Sequence, residues 1–128
     1  MSPQTIRILI AGGLFVHGVG HSLGFFKPCR SWILSSFSEH ALRTTANVFW
    51  SLAAVGFVIS TLGFLAVLVP ATLWRPLAVL SSLFSLLGLV LFIGNWPVFN
   101  TIGAIGFNLV VLVALLGLKW PPLALFGR

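Results

Sequence analysis

Long apolar runs, interrupted by prolines and isolated cations, set the pattern of this chain. Four stretches, residues 7–26, 46–69, 77–96 and 102–118, are apolar enough and long enough to be membrane-crossing helices. About 20 mainly apolar residues cover roughly 30 Å of hydrocarbon at a rise of about 1.5 Å per residue. Pro28, Pro70, Pro76, Pro97 and the Pro121-Pro122 pair fall outside these stretches, where a missing N–H costs least. The pattern therefore predicts an all-α integral membrane protein of one domain spanning 1–128. Its helices form an antiparallel, up-down bundle of four transmembrane segments.

Call side A the face bearing the N-terminus, the 70–76 turn and the C-terminal tail, and side B the face bearing the 27–45 connection and the 97–101 turn. Tryptophan prefers the headgroup region, and all five indoles sort accordingly. Trp32, Trp50 and Trp96 fall toward side B, and Trp74 and Trp120 toward side A. Side A carries Arg7, Arg75, Lys119 and Arg128, and side B carries Lys27, Arg30 and Arg43. By the positive-inside rule this excess puts both termini in the cytoplasm. Arg7 followed by an apolar run has the outline of a secretory signal. Two histidines within the run and no small-x-small cleavage pattern predict instead a retained first helix. The 27–45 connection holds an apolar patch, Trp32-Ile33-Leu34 with Phe37, and reads as an interfacial half-helix or cap on side B.

Polar residues inside the spans are few, so their positions are informative. Gly13, His17, Gly20, His21 and Gly24 recur at helical spacing and make one strip of small and polar groups that should face protein. Gly20-xxx-Gly24 fits the small-xxx-small packing pattern. Counting at about 1.5 Å per residue puts His21 about 8 Å and His17 about 14 Å below Phe26, with Asn108 and Ser51 at matching depth in spans four and two. Asn95 and Asn47 lie at the same end. The spacing predicts a polar pocket toward side B, lined by His17, His21, Ser51, Asn95 and Asn108 and covered by the 27–45 segment. The hydroxyls of Ser60, Thr61, Ser81, Ser82 and Ser85 are expected to bond within their own helices.

Composition narrows the function. At 59% hydrophobic and 6% charged, the chain lies far from soluble domains, in which about 25% of residues are charged. Seven Lys and Arg against the single acid Glu39 give a net charge of +6. These cations are scattered singly, as interfacial anchors in a lipid bilayer are, and no basic tract suits nucleic acid. The lone Cys29 excludes an internal disulfide.

Four chemistries fit the histidine pair. Neutral His17 and His21 can hold helices together through hydrogen bonds, as buried polar groups must be satisfied. They can ligate a metal ion from positions i and i+4, with Cys29, Glu39 or His40 swinging in from the cap. Haem bound by both is disfavoured, because axial ligands approach iron from opposite faces. They can also serve acid/base catalysis on a lipid-soluble substrate, although no span carries a carboxylate to tune them. Finally, they can grip the polar end of a quinone, lipid or pigment. The best reading is a small non-catalytic membrane protein. It would be either an accessory subunit of a membrane complex or a binder of an apolar ligand. A metal- or redox-linked enzyme and an isomerase-like enzyme are the alternatives.

The runs HGVGHSLGF at 17–25, WSLAAVGFV at 50–58, WRPLAVLSSLFSL at 74–86 and NTIGAIGFNLVVL at 100–112 resemble a widespread group of small uncharacterised bacterial four-helix membrane proteins, often labelled transporter permeases. The resemblance spans nearly the whole chain and implies the same fold, with the histidines on the first helix. It also implies residence in the bacterial inner membrane. A more distant similarity is to four-helix sterol-isomerase-like membrane proteins, whose functional acidic residues have no counterpart in these spans.

Overall fold

In a computed structural model of the protein, residues 1–122 are described; Arg128, counted above among the side-A cations, lies outside them. The described chain is helical without strands. α1 runs Pro3–Ser22 and continues as a short 3-10 turn, Leu23–Phe26; α2 runs Glu39–Leu65, α3 Trp74–Leu91 and α4 Val98–Leu112. The last turn of α4 widens into a π turn over Val113–Gly117. With those extensions, four helices are long and apolar enough to cross a membrane.

α1 and α2 differ from the hydropathy boundaries because capping, not apolarity, sets their starts. α1 begins at Pro3, where the Ser2 hydroxyl accepts from the Thr5 N–H at 3.1 Å. α2 begins at Glu39 rather than Ala46: the Ser38 side chain accepts from the Ala41 N–H at 3.2 Å, and Glu39 lies in the positive first turn. It ends at Leu65, before the apolar stretch does. Ala66 turns left-handed at φ 56°, and the N–H groups of Ala66 and Val67 close back on Gly63 and Leu62, a Schellman closure. Pro76 is not outside a helix; it occupies the first turn of α3, where a backbone N–H would have no intrahelical acceptor and its absence costs nothing. α3 stops at Leu91, and Gly94 at φ 89° turns the chain toward α4.

The 27–38 segment is not a half-helix. It is a strap tied to the end of α3 and the start of α2. The Arg30 N–H donates to Asn95 Oδ1 at 3.3 Å, and Asn95 Nδ2 donates back to the Arg30 carbonyl at 2.9 Å. Ser31 Oγ donates to the Leu91 carbonyl at 2.5 Å, and Arg43 reaches the Lys27 carbonyl at 3.0 Å. Trp32 and Ile33 project outward, 81% and 61% exposed.

α1 packs along α2, α2 along α3 and α3 more lightly on α4, whereas the α1–α4 seam lacks such packing. Two apolar clusters fill the interior. One gathers Leu14, Phe57, Phe64, Trp74 and Leu115; the other gathers Ala46, Trp50, Leu89 and Phe92. Trp50 and Trp74 are thus core residues, 2% and 4% exposed, and not interfacial anchors. Glycines make room for them. A Cβ on Gly24 would stand 2.6 Å from Trp50, one on Gly88 2.9 Å from the same indole, and one on Gly63 3.2 Å from Trp74.

Gly18, outside the predicted strip, lets α1 approach the α2 backbone: a Cβ there would lie 2.8 Å from Phe57 Cβ and 3.2 Å from the Ala54 carbonyl oxygen. Neither neighbour is a flexible side-chain end. Gly18→Ala should cost about 1–3 kcal/mol through overpacking. Gly12→Ala, with nothing within 4 Å of the new methyl, should be neutral or gain up to about 1 kcal/mol from helix propensity. Thermal unfolding of the detergent-solubilised variants followed by circular dichroism checks the opposite signs, and equal shifts would contradict this packing.

Candidate functional site

Four polar side chains from three helices close into a ring. Asn108 Nδ2 on α4 donates to Ser85 Oγ on α3 at 2.6 Å. Ser85 Oγ lies 2.8 Å from His21 Nε2 on α1, His21 Nε2 lies 3.3 Å from His17 Nε2, and His17 Nε2 lies 3.2 Å from Asn108 Oδ1. The amide oxygen only accepts, so His17 carries its proton on Nε2 and donates to Asn108. Ser85, which already accepts from Asn108, gives its one hydrogen to His21 Nε2, which is then the unprotonated nitrogen of that ring. The His17 N–H also faces His21 Nε2. Every hydrogen in the loop has an acceptor with both imidazoles neutral.

Local sequence explains how the ring is held. His17 and His21 are one helical turn apart, so both side chains leave α1 on one face. Asn108, Ser85 and His21 are buried, at 0%, 0% and 4% exposure, while His17 is half-buried. Aromatic rings box the imidazoles. Phe107 stacks on His17 at 4.2 Å between centroids, Phe57 meets His17 edge-on at 4.9 Å, and Trp50 lies parallel to His21 at 5.7 Å. α2 therefore contributes aromatic rings only, while the other three helices contribute the polar groups and α4 adds Phe107.

The predicted residues separate into two sets. His17, His21 and Asn108 come together. Asn95 instead fastens the strap to α3, and Ser51, half-buried on α2, takes no part in the ring. The metal-ligand set of His17, His21, Cys29 and His40 is not assembled. Cys29 Sγ faces the Lys27 carbonyl and Cys29 packs against the Ala46, Trp50, Leu89 and Phe92 cluster, and His40 is exposed in the first turn of α2. No group of three or more His, Cys, Asp or Glu capable of holding a metal ion occurs among the described residues. Cys29 and His40 are held away because the strap is tied down and α2 starts at Glu39.

Ser85 is the functional candidate missed from sequence. Ser81 and Thr61 do bond within their own helices, to the Leu77 and Phe57 carbonyls. Ser60, by contrast, donates across to the Trp74 carbonyl at 2.8 Å, and Ser85 joins the ring. The available signal was the face of α3 made by Ala78, Ser81, Ser82, Ser85 and Gly88, all small and all buried. The strip on α1 also splits. Gly24 is packed, whereas a methyl added at Gly20 would meet nothing within 4 Å, and Gly20 lines a cavity.

That cavity, about 320 Å³, lies between α1 and α4 with the ring at its wall. His17, His21 and Gly20 line it from α1; Leu89 and Trp96 close one side, and Phe99 and Asn100 stand near the α4 N-terminus. Among the described residues, no charged side chain lines it. Two imidazole nitrogens 3.3 Å apart are spaced like neighbouring ligands of one ion. The other donors, an amide and a hydroxyl, are neutral, so a divalent ion would keep its full charge in a low-dielectric site. A neutral molecule with a hydrogen-bonding end suits the cavity better.

Ser85→Ala should leave Asn108 Nδ2 and His21 Nε2 buried without their partner. The expected loss is about 1–2 kcal/mol, because interhelical hydrogen bonds in membranes average about 0.6 kcal/mol and an unsatisfied buried group adds to that. Ser81→Ala, which removes only an intrahelical bond, should cost less than about 0.5 kcal/mol. Paired unfolding midpoints in one detergent check the difference. Comparison with protein-family models, with curated proteins and with solved structures finds no match to this chain.

Proposed function

We propose that this chain is a small, non-catalytic integral membrane protein that binds an apolar ligand through a neutral polar head. The observation that carries the reading is that His17 and His21, two members of a closed hydrogen-bonded ring, stand on the wall of a cavity whose lining carries no charge and, Asn100 apart, is otherwise apolar. A phosphate or carboxylate head would meet no cation among the residues lining the cavity, Lys27 lying outside them over the Trp96 ring at 5.5 Å from its centroid. A quinone, phenol or prenol head needs only donors and acceptors, and the aromatic surroundings favour a planar one. The loose α1–α4 seam gives lateral access from the bilayer, so the ligand need not pass through water.

In this reading the helices are inserted up-down-up-down in the bacterial inner membrane, both termini cytoplasmic, with the strap and its exposed Trp32 at the opposite face. The contacts of Gly18 with Phe57 and of Gly24 with Trp50 support opposite directions for α1 and α2. In a Cys29→Ser background, Trp32→Cys and Trp120→Cys should be labelled from opposite faces of membrane vesicles by an impermeant thiol reagent. Labelling of both from one face would refute the arrangement.

The ligand reading is tested with a benzoquinone bearing a prenyl tail, whose binding is followed by quenching of tryptophan fluorescence; Trp96 lines the cavity. Gly20→Leu fills open space beside the ring, touching none of its hydrogen bonds. It should weaken quenching at least tenfold, about 1.4 kcal/mol, with equal or greater thermal stability. His21→Leu should weaken it similarly. Unchanged quenching in both variants would return the histidines to a purely structural role. Elemental analysis and an absorption spectrum of the purified protein test the metal- or redox-linked alternative: stoichiometric metal or a Soret band would favour it over the present reading.

A further inference from the structure

A second cavity, about 150 Å³, lies in the same α1–α4 seam toward the other end of the bundle. Its walls are apolar: Leu9, Ile10 and Leu14 from α1, and Val110 and Val111 from α4. Trp120 and Pro121 close it. The π turn at Val113–Gly117 brings them there, with the Trp120 N–H donating to the Ala114 carbonyl at 2.8 Å and Arg75 donating to the Pro121 carbonyl. One aromatic ring stands between the two cavities. Phe107 lines the second, stacks on His17 of the first, and lies 3.4 Å from where a Gly13 Cβ would be.

We propose that the two cavities are one binding site for a single long-tailed molecule. Its neutral head lies at the His17–His21 pocket, and its chain passes Phe107 into the apolar cavity. This rests on the ligand reading above and adds the class of its tail. The smaller cavity is lined by aliphatic and aromatic side chains with no charged group among the described residues, and suits a hydrocarbon chain. The seam is continuous because α1 and α4 do not pack on each other as the other neighbouring pairs do. From Leu23 in the first cavity to Leu9 in the second, α1 rises about 20 Å, a reach that calls for an extended isoprenoid or acyl chain. A Phe107 side chain that swings aside is all that joins the two volumes. Gly13 leaves room beside the ring, where an added Cβ would already touch Phe107 at 3.4 Å.

The experiment compares the same benzoquinone carrying either a prenyl or a geranylgeranyl tail, by tryptophan quenching in nanodiscs. The wild-type protein should bind the geranylgeranyl form at least tenfold more tightly. Ala114→Phe fills the second cavity far from the polar ring and should abolish that preference, leaving the prenyl form bound as before. Phe107→Ala removes the divider and should raise the long-to-short affinity ratio, which cancels any weakening of the head contacts through lost stacking on His17. Equal binding of the two probes, unaltered by Ala114→Phe, would overturn the tail assignment and leave the head pocket standing. If neither probe binds the wild type, the ligand reading itself falls. Spontaneous disulfide dimers of a Cys29→Ser, Val110→Cys variant would assign the seam to a second copy of the chain and overturn the proposal as well.

Discussion

The bundle depends on one closed circuit: Asn108 to Ser85, Ser85 to His21, and both His21 and Asn108 meeting His17. Each of these groups would be costly alone in a low-dielectric interior, at several kcal/mol for an unpaired polar group. Closure removes that cost without water, because each donor ends on an acceptor within the circuit. It also makes the four residues interdependent: deleting one leaves two neighbours with a buried, unmet group. The circuit joins α1, α3 and α4, so the site and the tertiary arrangement stand or fall together.

α2 supplies what the circuit cannot. A hydrogen bond between long side chains is only as well placed as their torsions allow, and the imidazoles are fixed by Phe57 and Trp50 from α2. Those rings fit because Gly18, Gly24 and Gly88 leave their volume free. In the proposed bilayer setting there is no hydrophobic driving force between helices, and close backbone approach and dispersion would carry the association. Small residues and large aromatics are therefore paired: Gly24 and Gly88 with Trp50, Gly63 with Trp74, and Gly18 with Phe57. The polar ring and the glycine clearances are two faces of one packing solution.

How much of this is legible in the sequence follows from the range of each signal. Apolar runs report on every residue of a span, so four helices of sufficient length could be read directly. The i, i+4 spacing of His17 and His21 fixes their shared face, and depth counting brings Asn108 to the same layer. Ends are another matter. Ser38 and Ala66 set the limits of α2 through single hydrogen bonds and one left-handed residue, to which hydropathy is blind. Trp50 and Trp74 resemble interfacial anchors by position along the span, and only the partner glycines on other helices reveal that they are buried. Ser85 was hidden among four other hydroxyls at similar helical positions. What distinguishes it from Ser81 is the neighbour it faces, a pairwise property that no single-helix pattern contains.

The uneven seams of the bundle connect this architecture to binding. Three neighbouring pairs pack closely, while α1 and α4 meet through side chains: His17 reaching Asn108, Phe107 lying against Gly13 and His17, and Leu14 and Leu115 sharing one apolar cluster. A seam with so little close backbone approach can widen without disturbing the clearances at Gly18, Gly24 and Gly88, which belong to other helix pairs. A molecule entering there would compete for the His17–Asn108 bond, whose 3.2 Å length is among the longer of the circuit, and leave the shorter Asn108–Ser85–His21 arm at 2.6 and 2.8 Å intact. The half-buried His17 is therefore the member that would first exchange a protein partner for a ligand, and the buried His21 is the one that would hold the circuit together while it does.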